Sequence, residues 1–157
     1  MDIKDAIKTV KPKIIADKLA AKKKVQDENL RERKEELASR MRDNELLKLV
    51  GTTWFPFKEK LLKDADIMEG IKFLEREKEY FRLCSGRNWA VYFCSDGKFK
   101  LQRWGMYLGD GYIKPLTIDN IHFLDAKDIE TVAKMDFKNE IKKQILKLGT
   151  RKYDDEN

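Results

Sequence analysis

Three groups of residues in this sequence have types and spacings that could do chemistry. The first is "RWGMYLGDGYI" (103–113), where Gly109, Asp110 and Gly111 follow an apolar run. Either Asp110 is a carboxylate set out for chemistry, or the glycines turn a corner in a sheet. The second is His122, the only histidine. One histidine rules out two-His zinc sites and a histidine-based facial triad within one chain. Any Ser–His or Cys–His pair would have to use it, yet it sits in "NIHFL" between apolar neighbours and reads as a histidine in a sheet. The third is Cys84 and Cys94. If "SGRN" (85–88) joins two antiparallel strands, Cys84 lies opposite about Trp89. Cys94 is then five residues further along, roughly 16 Å away at the rise of a strand, beyond disulfide reach. Both read as small half-buried apolar residues in a reducing compartment.

The first stretch resembles the tail of the LAGLIDADG homing-endonuclease signature. Gly105, Asp110 and Gly111 match it; Leu108 stands where the earlier Asp of the signature belongs. The resemblance implies a metal-binding Asp110 at the end of a tightly packed helix. The residues themselves read differently, because the motif directly follows a strand pattern and two glycines weaken a helix there. "LGDGY" is therefore expected to be a turn between strands. No P-loop and no G-x-G-x-x-G is present. Acidic residues fall mostly at helical, charge-paired positions. The expectation is no catalytic residue, no cofactor and no metal; two distant carboxylates meeting over Mg²⁺ is the arrangement left open.

Two basic regions are candidates for binding rather than catalysis. Residues 4–24 hold eight lysines, Lys22, Lys23 and Lys24 among them, against Asp5 and Asp17. Such a helix can neutralise phosphates in a salt-sensitive, sequence-blind way, or meet an acidic protein. The second region is Arg82, Lys98, Lys100 and Arg103, interleaved with Tyr80, Trp89, Tyr92, Phe99 and Trp104. Bases stack on aromatics beside cations in single-strand binders, but one face of such a sheet must also cover a helix.

The elements that position these residues follow from periodicity. The chain has 157 residues, of which 41% are hydrophobic and 39% charged, with a net charge of +6. Residues 1–50 read as a helical arm, 51–149 as an α+β domain and 150–157 as a polar tail. In the arm, Pro12 opens a second helical segment, and Asp27/Arg31, Arg31/Glu35 and Glu36/Arg40 are helical charge pairs. Leu30, Leu37, Met41 and Asn44 form a weak coiled-coil seam. "LVGTTWFPF" (49–57) breaks the helix with Gly51 and Pro56. Its Trp54, Phe55 and Phe57 either plug the core or anchor a partner. Residues 58–78 are helical, as one or two pieces, with Asp66 and Glu69 as a capping pair. From Glu79 the period is two, giving a meander of three to five antiparallel strands with a two-residue Asp96-Gly97 hairpin and Pro115 at an edge or an irregularity. Asp125 with Asp128 opens a final helix whose stripe, Ile129 to Leu148, covers the sheet, with Gly149 at its end.

The expected fold is α+β: a small antiparallel sheet packed by helices, with a long charged N-terminal helical arm. No apolar run spans a membrane and none reads as a signal peptide, so a soluble cytoplasmic protein is expected. The function expected is a non-enzymatic protein-binding modulator, an adaptor, assembly factor or inhibitor of a partner enzyme, acting as a homodimer. In style, the small Lys/Glu-rich chain is similar to accessory proteins of large bacteriophages, including inhibitors of host enzymes. The alternative is a nucleic-acid-binding protein using the N-terminal lysines and the basic aromatic sheet.

Overall fold

The computed structural model describes residues 2–105 and 111–156, with side chains through Thr150. Asp110 of the Gly-Asp-Gly motif lies outside the described residues. The chain divides into two units, Met1–Arg42 and Asp43–Asn157. Among the described residues the architecture is α+β, with four α-helices and a four-stranded antiparallel sheet in the order β1-β2-β3-β4.

The first unit lies within helix α1 (Ile3–Lys63). Asp2 caps it by accepting from the Asp5 N–H at 2.9 Å. The helix runs through Pro12, where the sequence suggested a second segment beginning. Arg31 pairs with Glu35 at 3.9 Å and Arg40 with Glu36 at 2.7 Å, as their spacing predicts. Each exposed pair supports the helix by about 0.5 kcal/mol at most.

The expected break at Gly51 and Pro56 does not occur. α1 continues to Lys63, and Leu46, Val50, Trp54, Phe57 and Leu61 form its buried face. An interior glycine costs about 1 kcal/mol and an interior proline about 3. Burying five large apolar side chains yields roughly 1.5–3 kcal/mol each, so packing wins. Thr52 and Thr53 donate their hydroxyls to the Leu49 carbonyl at 3.1 and 2.5 Å in the turn that precedes the proline. Leu46 and Val50 also move the boundary: part of the expected 1–50 arm belongs to the core of the second unit.

The stop comes at Asp64, which caps α2 (Ala65–Arg76) by accepting from the Asp66 and Ile67 N–H groups. The helical cap is thus Asp64, not the expected Asp66/Glu69 pair. Gly70 of α2 meets α4 (Phe137–Glu156) so closely that a Cβ there would lie 2.6 Å from Ile141 Cγ2. α2 ends in a left-handed Lys78 (φ 59°), with Lys78 N–H bonded to Glu75 O and Glu79 N–H to Leu74 O. This is a Schellman stop carrying lysine where glycine is usual.

The strands are β1 (Phe81–Ser85), β2 (Trp89–Phe93), β3 (Phe99–Arg103) and β4 (Ile113–Pro115). Phe81, Phe93 and Phe99 stand in register on the face that joins the helices in the main core. The opposite face holds Ala90, Tyr92 and Cys94 with Tyr80 and Trp104. The β2–β3 hairpin carries Gly97 at φ 78°, with Gly97 N–H bonded to Cys94 O and Cys94 N–H to Lys98 O. It is a longer glycine-bulge loop rather than the two-residue turn expected. Glu75 holds this loop to α2 by accepting from Ser95 N–H and Oγ at 2.5 and 2.6 Å.

Asp125 and Asp128 form a reciprocal capping box, but the helix they open is short. α3 (Ala126–Ala133) stops, and α4 starts separately at Phe137. α4 continues through Gly149 to Glu156, so the expected tail at 150–157 is helical as far as Glu156. "NIHFL" is not a strand: Ile121–Phe123 is a turn of 3-10 helix with His122 exposed. That replaces the expected sheet histidine. No helix among the described residues is long and apolar enough to cross a membrane.

Candidate functional site

The aromatic trio at 54–57 separates by burial. Trp54 is fully buried and donates its indole N–H to the Ile129 carbonyl at 2.9 Å; Phe57 is buried against Phe137 at 4.6 Å. Both hold the core and cannot anchor a partner in this fold. Phe55 is 52% exposed, stacked parallel to Phe99 at 6.4 Å, with Lys58 5.2 Å from its ring. Only Phe55 of the three stays accessible.

The basic sheet residues do not converge either. Arg82, Tyr92 and Lys100 are opposite one another across three strands and therefore share a face. Arg103 pairs with Trp89, three residues beyond Lys100, and lies on the other face. Lys100 is engaged by Asp96 at 3.0 Å, and that hydrogen bond raises its pKa. Burial alone would raise the Asp96 carboxyl, but its bond to Lys100 and the Lys98 N–H hold it below the usual range. Lys98 is exposed beside β3. The Arg82 backbone is closed by the Gln144 side chain, which donates to Arg82 O at 2.8 Å and accepts from Arg82 N–H at 3.0 Å. Gln144 imitates a neighbouring strand and shields the β1 edge.

The cysteines are unpaired, and they belong to opposite faces of the sheet, Cys84 with the main core and Cys94 with the smaller cluster. Cys84 faces Val91 rather than Trp89, across a shift in register between Arg82 and Cys84. Burial pushes the Cys84 thiol up to about 12 and the Cys94 thiol to about 11, which suits inert packing rather than nucleophilic work. Among the described residues, no group of three or more His, Cys, Asp or Glu side chains is placed to hold a metal.

Two surfaces stand out among the described residues. In Met1–Arg42, every large apolar side chain from Ile3 to Met41 is exposed, by 47 to 79%. Leu30, Leu37 and Met41 of the expected seam are among them, Lys22, Lys23 and Lys24 are exposed on the same helix, and Asn44, also exposed on α1, falls in the second unit. In Asp43–Asn157, a cleft of about 440 Å³ opens between β3–β4 and the 3-10 turn, lined by Leu101, Arg103, Tyr112, Lys114, Asn120, His122 and Phe123. The Arg103 guanidinium lies 4.7 Å from the Phe123 ring centre, and the His122 and Phe123 rings are 4.5 Å apart. Sequence reading missed this cleft because it placed His122 and Phe123 in a strand. The signal available was Gly111: its φ of 75° bends the chain back over the Arg103 carbonyl, where a Cβ would have no room. Compared with known protein families, curated proteins and solved structures, the chain matches none.

Proposed function

We propose that this chain is a non-enzymatic protein-binding modulator, an adaptor, assembly factor or inhibitor of a partner enzyme, that dimerises through its N-terminal arm. The observation that carries the reading is the arm's exposed apolar stripe. A helix with no core of its own is marginal in water, and each large apolar side chain it keeps exposed would gain roughly 1.5–3 kcal/mol if fully buried. The charge pattern divides the work. Residues 27–45 carry five bases and seven acids, so two copies meeting at Leu30, Leu37, Met41 and Asn44 repel little. Residues 4–24 carry eight lysines and two aspartates; two copies of that segment repel, and an acidic protein surface complements it.

The test has two parts. Light scattering on the full chain should report a dimer, and changing Leu30 and Leu37 together to Lys should give a monomer with an unchanged unfolding midpoint for the globular unit. A monomeric native chain, or a dimer that survives both changes, would refute the seam. Copurification from native lysate should retain a protein partner after nuclease and high salt. A complex lost to nuclease would transfer the arm's lysines to nucleic acid instead.

A further inference from the structure

We propose that the cleft between β3–β4 and the 3-10 turn binds a nucleotide unit, its base stacked on the exposed aromatic rings and its phosphate held by Arg103 and Lys114. This inference stands on the second unit alone and is independent of what the arm binds. At about 440 Å³, the cleft lies in the ~300–1,000 Å³ range typical of small-ligand sites. Its floor and cations come from one face of the sheet. Leu101 is opposite Lys114, and Arg103 lies two residues beyond Leu101, so all three side chains share that face. Among the described lining residues, Arg103 and Lys114 stand against one acid, Asp119, and two cations to one carboxylate favour an anion.

The rings supply the second half of the recognition. Tyr112 is 72% exposed, and the exposed His122 packs on the half-buried Phe123 ring in the same lining. A base stacked on an aromatic side chain contributes about 1–3 kcal/mol, and a guanidinium over a ring face strengthens such a platform. The site is also preformed. The Asn120 side chain accepts from Thr117 N–H at 2.7 Å and donates to Pro115 O at 2.8 Å, fixing the wall that bears His122 and Phe123. Exposed Tyr112 and His122 beside two cations suit a planar anion better than a simple carboxylate, which would leave the rings unused.

The probe is the full chain in an NMR amide titration with AMP and, separately, with a short oligothymidine. AMP should shift the amides of Arg103, Tyr112, Lys114 and Phe123 with a Kd tighter than about 10 mM. Tyr112→Ser and Lys114→Gln change exposed residues outside the core and should each weaken binding roughly tenfold, the size of one stacking or charge-assisted contact. An oligothymidine that binds more tightly through the same amides identifies the source as a nucleic-acid strand; equal or weaker binding identifies a free nucleotide. No shift at these amides, shifts confined to the Lys4–Lys24 segment, or wild-type affinity in both variants would overturn the site.

Discussion

Met1–Arg42 and Asp43–Asn157 use one helical spacing to opposite ends. Ile3, Ile7, Val10 and Ile14 recur every three or four residues and all stand exposed; Leu46, Val50, Trp54, Phe57 and Leu61 recur in the same way and are buried. The periodicity is the same, and both stripes are apolar. What differs is that the second unit supplies a sheet face and three further helices to receive its stripe. Apolar spacing therefore says which side of a helix wants cover, and not whether the same chain provides it.

The contrast can be broken most directly by truncation in each unit. Trp54→Ala removes a fully buried indole and its bond to Ile129 O, and should cost about 3–5 kcal/mol in urea unfolding. Leu30→Ala, at 53% exposure, should change the second unit's stability by less than about 0.5 kcal/mol. Equal losses would mean that the two stripes are not in different states.

Alkaline pH gives the next largest effect, and again only in the packed unit. Both thiols are raised from 9.0 by burial, Cys84 to about 12 and Cys94 to about 11. Folding therefore favours the protonated thiols. Their contribution is fully present below pH 9 and is lost as pH rises through the folded values. The urea midpoint should fall between about pH 9 and 12, and less steeply in Cys84→Ala, which removes one of the titrating groups. Identical slopes in the two proteins would show that Cys84 ionises as freely folded as unfolded.

Two smaller changes probe how the packed unit closes its own ends. Gln144→Ala exposes the Arg82 backbone at the β1 edge and should cost about 1–2 kcal/mol, with concentration-dependent light scattering as free edges meet. Unchanged stability and scattering would leave Gln144 with no edge-sealing role. Lys78→Gly should raise stability by about 0.5–1 kcal/mol, since glycine relieves the left-handed backbone of the Schellman stop. A loss would mean that the Lys78 side chain matters more than its backbone strain.

Much of this architecture was legible in local chemistry. The Asp125/Asp128 box marked a helix start because one carboxylate and one N–H lie three residues apart whatever surrounds them. Period-two aromatics after Glu79 marked the meander, Gly97 the hairpin and Pro115 the edge strand. Each of these depends on residues within a few positions. The candidate cleft was not legible, because it unites β3, β4 and a 3-10 turn around Arg103, Lys114 and Phe123. Alternating apolar residues in "NIHFL" fit a strand as well as they fit that turn.

The sequence by itself determined the α+β class, the charged arm, the solvated charge pairs and the absence of a usable histidine pair, since composition and short-range spacing suffice for these. Only the tertiary structure decided that α1 passes through Gly51 and Pro56, that Trp54 and Phe57 are core while Phe55 is not, and that Arg82 and Lys100 lie on the opposite face from Arg103. The physical reason is one of magnitude. The local penalties are about 1 kcal/mol for an interior glycine and about 3 for an interior proline, and burial of a whole helix face against the sheet outweighs them.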